Sequence, residues 1–332
     1  LPASTVDGRL PLPRYATRLN AFAAGPGPRP PTRELLARAA AVPGLEVVDL
    51  NYPDHLDALT PGEVVDMLAD LGLGLNGFAM RYYSDPAFRA GAFTNPDPAV
   101  RRKAIELTKR GLDALQACGG RLMTLWLGQD GFDYPFQADY RTLWELELEG
   151  IRAVAGHAPE VAISLEYKPD EPRAFALLPD VATTLLMIRE VGAANLGVTL
   201  DFAHVLYAGE QPAAAAALVA RHSRLLGLHL NDGYGKRDDG LMVGSVHLLQ
   251  TVELLRQVRA DGYDGAIYFD TFPDAAGLDP AAECAANIRT VQALLRVVDR
   301  LDRSNALAEA IARQDAVTAQ QLLQRVLLGD PS

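Results

Sequence analysis

The sequence predicts an α/β fold, a (β/α)8 (TIM) barrel followed by an extra C-terminal helix. Three observations carry this expectation. Eight short apolar runs recur along the chain, each followed by a longer segment whose apolar residues repeat with helical spacing. The alternation never gives way to an antiparallel pattern, so the strands are expected to lie parallel, and eight such units close a sheet on itself. Four consecutive runs then end in a side chain able to bind a cation, at the strand ends where such barrels keep their active sites.

In chain order, residues 1–14 are rich in Pro and Gly and read as a flexible N-terminal arm. The barrel is expected over 15–300, with strands at 16–22, 45–51, 73–79, 121–127, 161–167, 196–201, 226–231 and 266–270. Helical patterns fill the intervals at 32–42, 60–71, 98–118, 139–157, 179–191, 212–222 and 246–260, and 281–299 supplies the eighth. Residues 301–332 form a helical extension. Its pattern over 302–328 places Leu307, Ile311, Val317, Leu322, Leu323 and Val326 on an apolar face, which is expected to pack on the outside of the barrel or on a neighbouring subunit.

Composition narrows the function. With 49% hydrophobic and 22% charged residues the chain can bury a large core. A net charge of −11 argues against nucleic acid, whose phosphates are met by Lys and Arg. No apolar run approaches the roughly 18 residues of a membrane span, and no signal-peptide pattern opens the chain, so a cytoplasmic location is expected. Cys118 and Cys284 are too few and too far apart for a disulfide framework or a thiolate zinc site.

The chemistry is concentrated at the strand ends. The run Val161 to Leu165 closes in Glu166-Tyr-Lys168-Pro169, where the proline stops the strand and the two-residue period points Glu166 and Lys168 the same way. The runs beginning at Leu196, Leu225 and Ala266 end at Asp201, His229 and Asp270, 28 to 41 residues apart, about one strand-helix unit each. Any one of these is most simply an ordinary polar group at a strand end. Together, three carboxylates and an imidazole suit Mn²⁺, or Co²⁺ or Mg²⁺, better than a structural zinc. Such an ion would hold two adjacent oxygens of an open-chain sugar, and Lys168 could stabilise charge on the carbonyl oxygen.

The segment 165–173, Leu-Glu-Tyr-Lys-Pro-Asp-Glu-Pro-Arg, with Leu177-Leu178-Pro179, resembles the metal-binding strand and loop of xylose isomerase and its relatives, including L-rhamnose isomerases. Further resemblances are 91–97, Trp126 to Gly131, His229-Leu-Asn231 and Phe269 to Pro273, together covering about 71–300. The resemblance implies a TIM-barrel sugar isomerase using a divalent metal, with Glu166, Asp201, His229 and Asp270 on the structural metal positions. The His and Asp in this set are closer to the rhamnose isomerases and ketose 3-epimerases than to xylose isomerase. It also puts His204 on a second-metal position, with Asp238 and Asp239 nearby. There the chain departs from the pattern, because Gly240 stands where relatives carry a second Asp. The alternative readings are an exposed turn for Asp238 and Asp239, and a substrate hydrogen bond for His204.

The same resemblance places Trp126 and Tyr83 on the sugar-binding wall. Arg81 beside Tyr83 has no counterpart; facing inward it could read an acidic or phosphorylated substrate, while a solvated loop is its commoner setting. Asn51, Tyr52 and His55 follow the second strand, where relatives carry a ring-opening histidine, but none aligns cleanly. The expected activity is interconversion of an aldose and a ketose, with Lys168, His204, Glu166 and Asp270 as catalytic residues in a homodimer or homotetramer. With two metals the hydrogen would move as hydride; with one, a carboxylate or histidine would act as base through an enediolate. The alternatives are a ketose 3-epimerase, a lyase cleaving C-glycosides, and a catalytically silent sugar-binding protein.

Overall fold

The computed structural model describes residues 13–23, 29–56 and 58–329. The predicted N-terminal arm lies outside these residues except for Pro13 and Arg14. Eight parallel strands form one sheet: β1 (Tyr15–Thr17), β2 (Val47–Tyr52), β3 (Gly74–Met80), β4 (Leu122–Trp126), β5 (Ala162–Glu166), β6 (Leu196–Asp201), β7 (Leu225–Leu230) and β8 (Ile267–Phe269). From β2 to β8 each strand pairs with the next in sequence, and β1 pairs with β8. The last gap, between β1 and β2, is joined by the Glu46 N–H donating to the Tyr15 carbonyl (3.3 Å) and by an Arg18–Asp49 bridge. The sheet is therefore a nearly closed TIM barrel, as the alternation predicts.

The helices run outside it: α1 (Thr32–Ala40), α2 (Pro61–Asp70), α3 (Pro98–Ala117), α4 (Tyr140–Ala155), α5 (Val181–Val191), α6 (Phe202–Tyr207), α7 (Pro212–His222), α8 (Leu248–Ala260), α9 (Pro273–Ala276) and α10 (Pro280–Leu301). Their starts are written in the sequence. Thr60 and Glu63 form a reciprocal capping box on α2, and Asp97, Asp139, Asp180 and Asp279 each accept a backbone N–H at the first turn of a helix. One apolar core fills the layer between strands and helices, while Ala16, Val47, Ala266 and Tyr268 make a small separate cluster.

Three local departures from the sequence reading occur. The first strand stops at Thr17, and Leu19–Ala23 turns into a 3-10 helix that buries Leu19, Ala21 and Phe22. An apolar run of this length can satisfy a core in either conformation. The C-terminal extension is two helices, α11 (Ala306–Ala312) and α12 (Ala316–Leu328), because Gln314 adopts a φ of 54° and Asp315 caps α12 through the Thr318 N–H. Leu322, Leu323 and Val326 pack against the main core, so this face rests on the barrel's outer layer, beside α10. Finally, α6 follows β6 without a loop, capped by Asp201 itself. No helix among the described residues is long and apolar enough to cross a membrane.

Candidate metal centre and sugar cavity

Parallel register brings the predicted ligands to one level. Asp201 is paired with His229 across β6 and β7, His229 with Tyr268 across β7 and β8, and Glu166 closes β5 beside them. One ligand atom from each of Glu166, Asp201, His229 and Asp270 lies within 4.8 Å of all the others. Opposite ligands of a single cation are separated by twice the bond length, about 4 to 5 Å, so the four fit one ion. His229 Nδ1 is 3.3 Å from Glu166 Oε1 and 3.9 Å from Asp201 Oδ2. His229 Nδ1 and Asp270 Oδ1 are buried with no hydrogen-bond partner, as donor atoms facing a cation would be.

The electrostatics of the cluster make the same point. Burial pushes the Asp201 carboxyl up to about 7, with Asp238, Asp270 and Glu166 adding to it against His204, and burial raises Asp270 as well. Burial disfavours a charged His229, yet Glu166, Asp270 and Asp201 hold it up at about 9. Burial would also raise Glu166, but the His229 charge, then His204 and Arg81, bring it down to about 2. Two buried carboxylates and the half-buried Asp270 thus depend on protonated histidines for balance, a duty a dication would take over. Glu166, Asp201, His229 and Asp270 would hold it; the acid-rich set with no thiolate suits Mn²⁺, Co²⁺ or Mg²⁺.

Supporting residues orient this set. Asn231, two residues past His229 on the same face, donates its amide to Asp201 Oδ1 (3.2 Å), Asp201 Oδ2 (3.1 Å) and the Asp270 carbonyl (3.1 Å). Its own Oδ1 accepts the Ala203 N–H at 2.8 Å. Asp201 Oδ1 accepts the His204 N–H (3.0 Å), which fixes the start of α6. His204 Nδ1 donates to the Tyr167 carbonyl (3.0 Å), leaving Nε2 3.2 Å from Asp238 Oδ2.

Lys168 is buried beside these groups. Its ammonium lies 3.1 Å from Asp238 Oδ2 and 2.9 Å from Glu171 Oε2, and 5.4 Å from the centre of the Trp126 ring. Burial works against its charge, but Asp238 and Glu171 overcome that and hold it above the ordinary lysine value. Asp239 does not join His204 and Asp238, because its oxygens accept the Tyr234 N–H and the Arg237 guanidinium, both at 2.8 Å. Gly240 has a physical reason to be glycine. Its φ is +57°, and a Cβ there would meet the Phe272 ring at 2.3 Å. The position where the resemblance calls for another acid is thus closed by an aromatic ring.

A cavity of about 430 Å³ opens over this cluster, and Arg81, Tyr83, Trp126, Glu166, Lys168, His204, Asp238 and Asp270 all line it. Arg81 is therefore not a solvated loop residue: its Nε is buried without a partner and its guanidinium lies 5.9 Å from the Tyr83 ring centre. Asn51 and His55 do not line the cavity. The His55 Nδ1 accepts the Asn51 N–H (2.8 Å), so Nε2 donates to Asn20 Oδ1 (2.8 Å), and it is Asn20 that reaches the cavity. Burial lowers the His55 pKa to about 3, with Arg29 and Arg81 adding to the effect. Arg18, Gln129 and Phe272 also line the cavity and were not singled out by sequence. Arg18 donates to the Thr271 carbonyl (3.1 Å), pairs with Asp274 and lies 3.9 Å from Asp270 Oδ1.

Residues 35–296 match the family described as a xylose isomerase-like TIM barrel. The chain belongs to this family. It is 30% identical to a xylose isomerase from Thermus thermophilus over 237 residues, 67% of this chain and 61% of the relative, and 27% identical over 241 residues to one from Thermus caldophilus. The chain thus spans about three fifths of the length of these relatives. Among solved structures, an L-ribulose 3-epimerase superposes with a TM-score of 0.67 at 20% identity, covering 87% of this chain and 96% of that one. A 3-keto-D-glucoside 4-epimerase from E. coli gives 0.65 at 15% identity, covering 86% and 100%. At these identities the structural likeness is one of fold.

Proposed function

We propose that this xylose isomerase-like protein is a divalent-metal-dependent aldose-ketose isomerase acting on an open-chain sugar. The observation that carries the reading is the juxtaposition of the Glu166, Asp201, His229 and Asp270 cluster with a buried, charged Lys168 in one cavity. A divalent ion held by Glu166, Asp201, His229 and Asp270 would supply Lewis acidity to the sugar's carbonyl. Lys168 donates a hydrogen bond to the oxygen on which charge develops, and Asp238 and Glu171 keep its ammonium oriented. Asp238 holds Lys168 and His204 through Oδ2, while Oδ1 is buried without a partner; a proton it took from C2 would be returned to C1 as the O2 proton passes to O1, which turns the aldose into the ketose. His204 and Lys168 hold the Asp238 carboxyl well below its ordinary range despite burial, so it is ionised at neutral pH. The Trp126 indole offers an apolar face to the sugar's C–H groups and excludes water.

A ketose 3-epimerase is the second reading, favoured by one observation: Glu166 and Asp270 both reach the cavity wall, and inversion at a carbon needs an acid and a base on opposite faces. One experiment separates the two. The protein is loaded with Mn²⁺, Co²⁺ or Mg²⁺ and incubated in D₂O with a panel of aldoses and ketoses. Aldose-ketose interconversion with label at C1 or C2 supports the isomerase. Label confined to C3 supports the epimerase, and absence of both reactions in metal-loaded protein overturns the proposal.

A further inference from the structure

The metal cavity does not end at the wall of one sugar. A second cleft of about 640 Å³ adjoins it, and Tyr83, Gln129 and Pro172 line both. Gln129 is 5% exposed, and its side-chain oxygen is buried with no partner at this junction. A buried acceptor left empty is costly, so a ligand hydroxyl there has a place ready for it. Tyr83 stands beside it, 48% exposed, with its ring edge-on to Trp126 at 5.9 Å.

The far wall of the outer cleft mixes both signs. Asp133 is fixed by Arg173 Nε (2.9 Å) and the Ala174 N–H (3.0 Å), Asp85 pairs with Lys103 (2.5 Å), and Arg89 makes no ion pair among the described residues. A phosphate or carboxylate placed here would face two aspartates. A neutral polyhydroxylated ring would meet acceptors, one free cationic donor, an aromatic edge and the face of a proline.

We propose that the natural substrate is an oligosaccharide or glycosylated sugar whose reacting residue sits at the metal cluster and whose second ring occupies the outer cleft, positioned by Gln129, Tyr83 and Arg89. This rests on the inner cavity being a metal-dependent sugar site, as proposed above. Binding the remote ring would raise kcat/KM for the reacting one, because contacts away from the chemistry help to hold it in place.

The test uses Mn²⁺-loaded protein with maltose, cellobiose and lactose, each set against glucose, their common reducing-end sugar. Both kcat/KM and calorimetric affinity are measured. A gain of about 10- to 100-fold for at least one disaccharide is expected, the scale of one or two good contacts. Arg89→Ala should bring the disaccharide-to-monosaccharide ratio back toward one. Arg89 is exposed and holds no partner among the described residues, so its loss does not threaten folding. Turnover of glucose with no gain from the second ring overturns this proposal and leaves the isomerase reading standing. Tighter, Arg89-dependent disaccharide binding without turnover supports it and removes the isomerase reading. No binding of either sugar defeats both.

Discussion

Replacing Asn231 by Ala tests the metal centre without touching a ligand. In the wild-type protein the Asn231 amide is the shared donor to both oxygens of Asp201 and to the Asp270 carbonyl, so it sets the direction in which Asp201 presents its lone pairs. Loss of a residue that orients a ligand typically weakens metal binding by about 10- to 100-fold, which is about 1.4 to 2.7 kcal/mol. The variant also leaves the buried Ala203 N–H without an acceptor, at a cost of about 1 to 3 kcal/mol to the apoprotein. Two assays must then agree. Calorimetric titration with Mn²⁺ should give the weaker Kd directly. Denaturation at a fixed excess of Mn²⁺ should show metal-induced stabilisation reduced by the same free energy, since that stabilisation grows as RT ln(1 + [L]/Kd). A folded Asn231→Ala protein that binds Mn²⁺ as tightly as wild type would refute the reasoning that Asp201 is a ligand held by Asn231.

Three further outcomes are expected. Lys168→Met should lower kcat by about 10²- to 10³-fold, the scale of removing one donor from a developing oxyanion, while calorimetry finds Mn²⁺ still bound; unchanged kcat would discard the carbonyl role. His55 is neutral in the fold, with its pKa depressed to about 3, whereas the unfolded chain takes up a proton near the ordinary histidine value of about 6.5. The unfolded state therefore binds more protons between these limits, and stability falls as pH drops through that window, by about 2 kcal/mol from pH 8 to pH 5. In urea denaturation the loss of stability from pH 8 to pH 5 should be larger in wild type than in His55→Gln by this amount; equal slopes in both would sink the assignment. Gly240→Asp should not create a second metal site, because the left-handed backbone and the Phe272 ring oppose any side chain there. Its melting temperature should fall, and a second Mn²⁺ equivalent in calorimetry would contradict this.

The barrel was legible because β5 to β8 each carry a mainly apolar run that stops at a charged residue or a histidine, and the two-residue period of a strand then dictates which side chains enter the mouth. Glu166, Asp201, His229, Asp270 and Lys168 could all be found this way. The same period, applied one step past His229, points to Asn231 as well. What could not be read were contacts made by chain that leaves the strands. Leu19–Ala23 continues the apolar pattern of β1 but coils, and this coil, not a longer strand, brings Asn20 to the rim. His55 has the residue type of a catalytic base and the surroundings of a strut, a distinction that depends on Asn20 and Asn51 being its partners. Gly240 is a gap in a motif until Phe272, 32 residues later, is seen to fill it. The break at Gln314 depends on one dihedral that glutamine rarely adopts, and nothing in its neighbours announces it.

Two loops on the cavity's rim are stitched together. Gly131–Phe132 pairs antiparallel with Phe175–Ala176, Phe132 stacks on Phe175 at 5.1 Å, and Arg173 clamps Asp133 and the Gln129 carbonyl. Segments bound in this way behave as one rigid jaw, so lengthening or shortening either alone would tear the seam. Anyone wishing to reshape this side of the cavity should exchange both segments together, as a matched cassette.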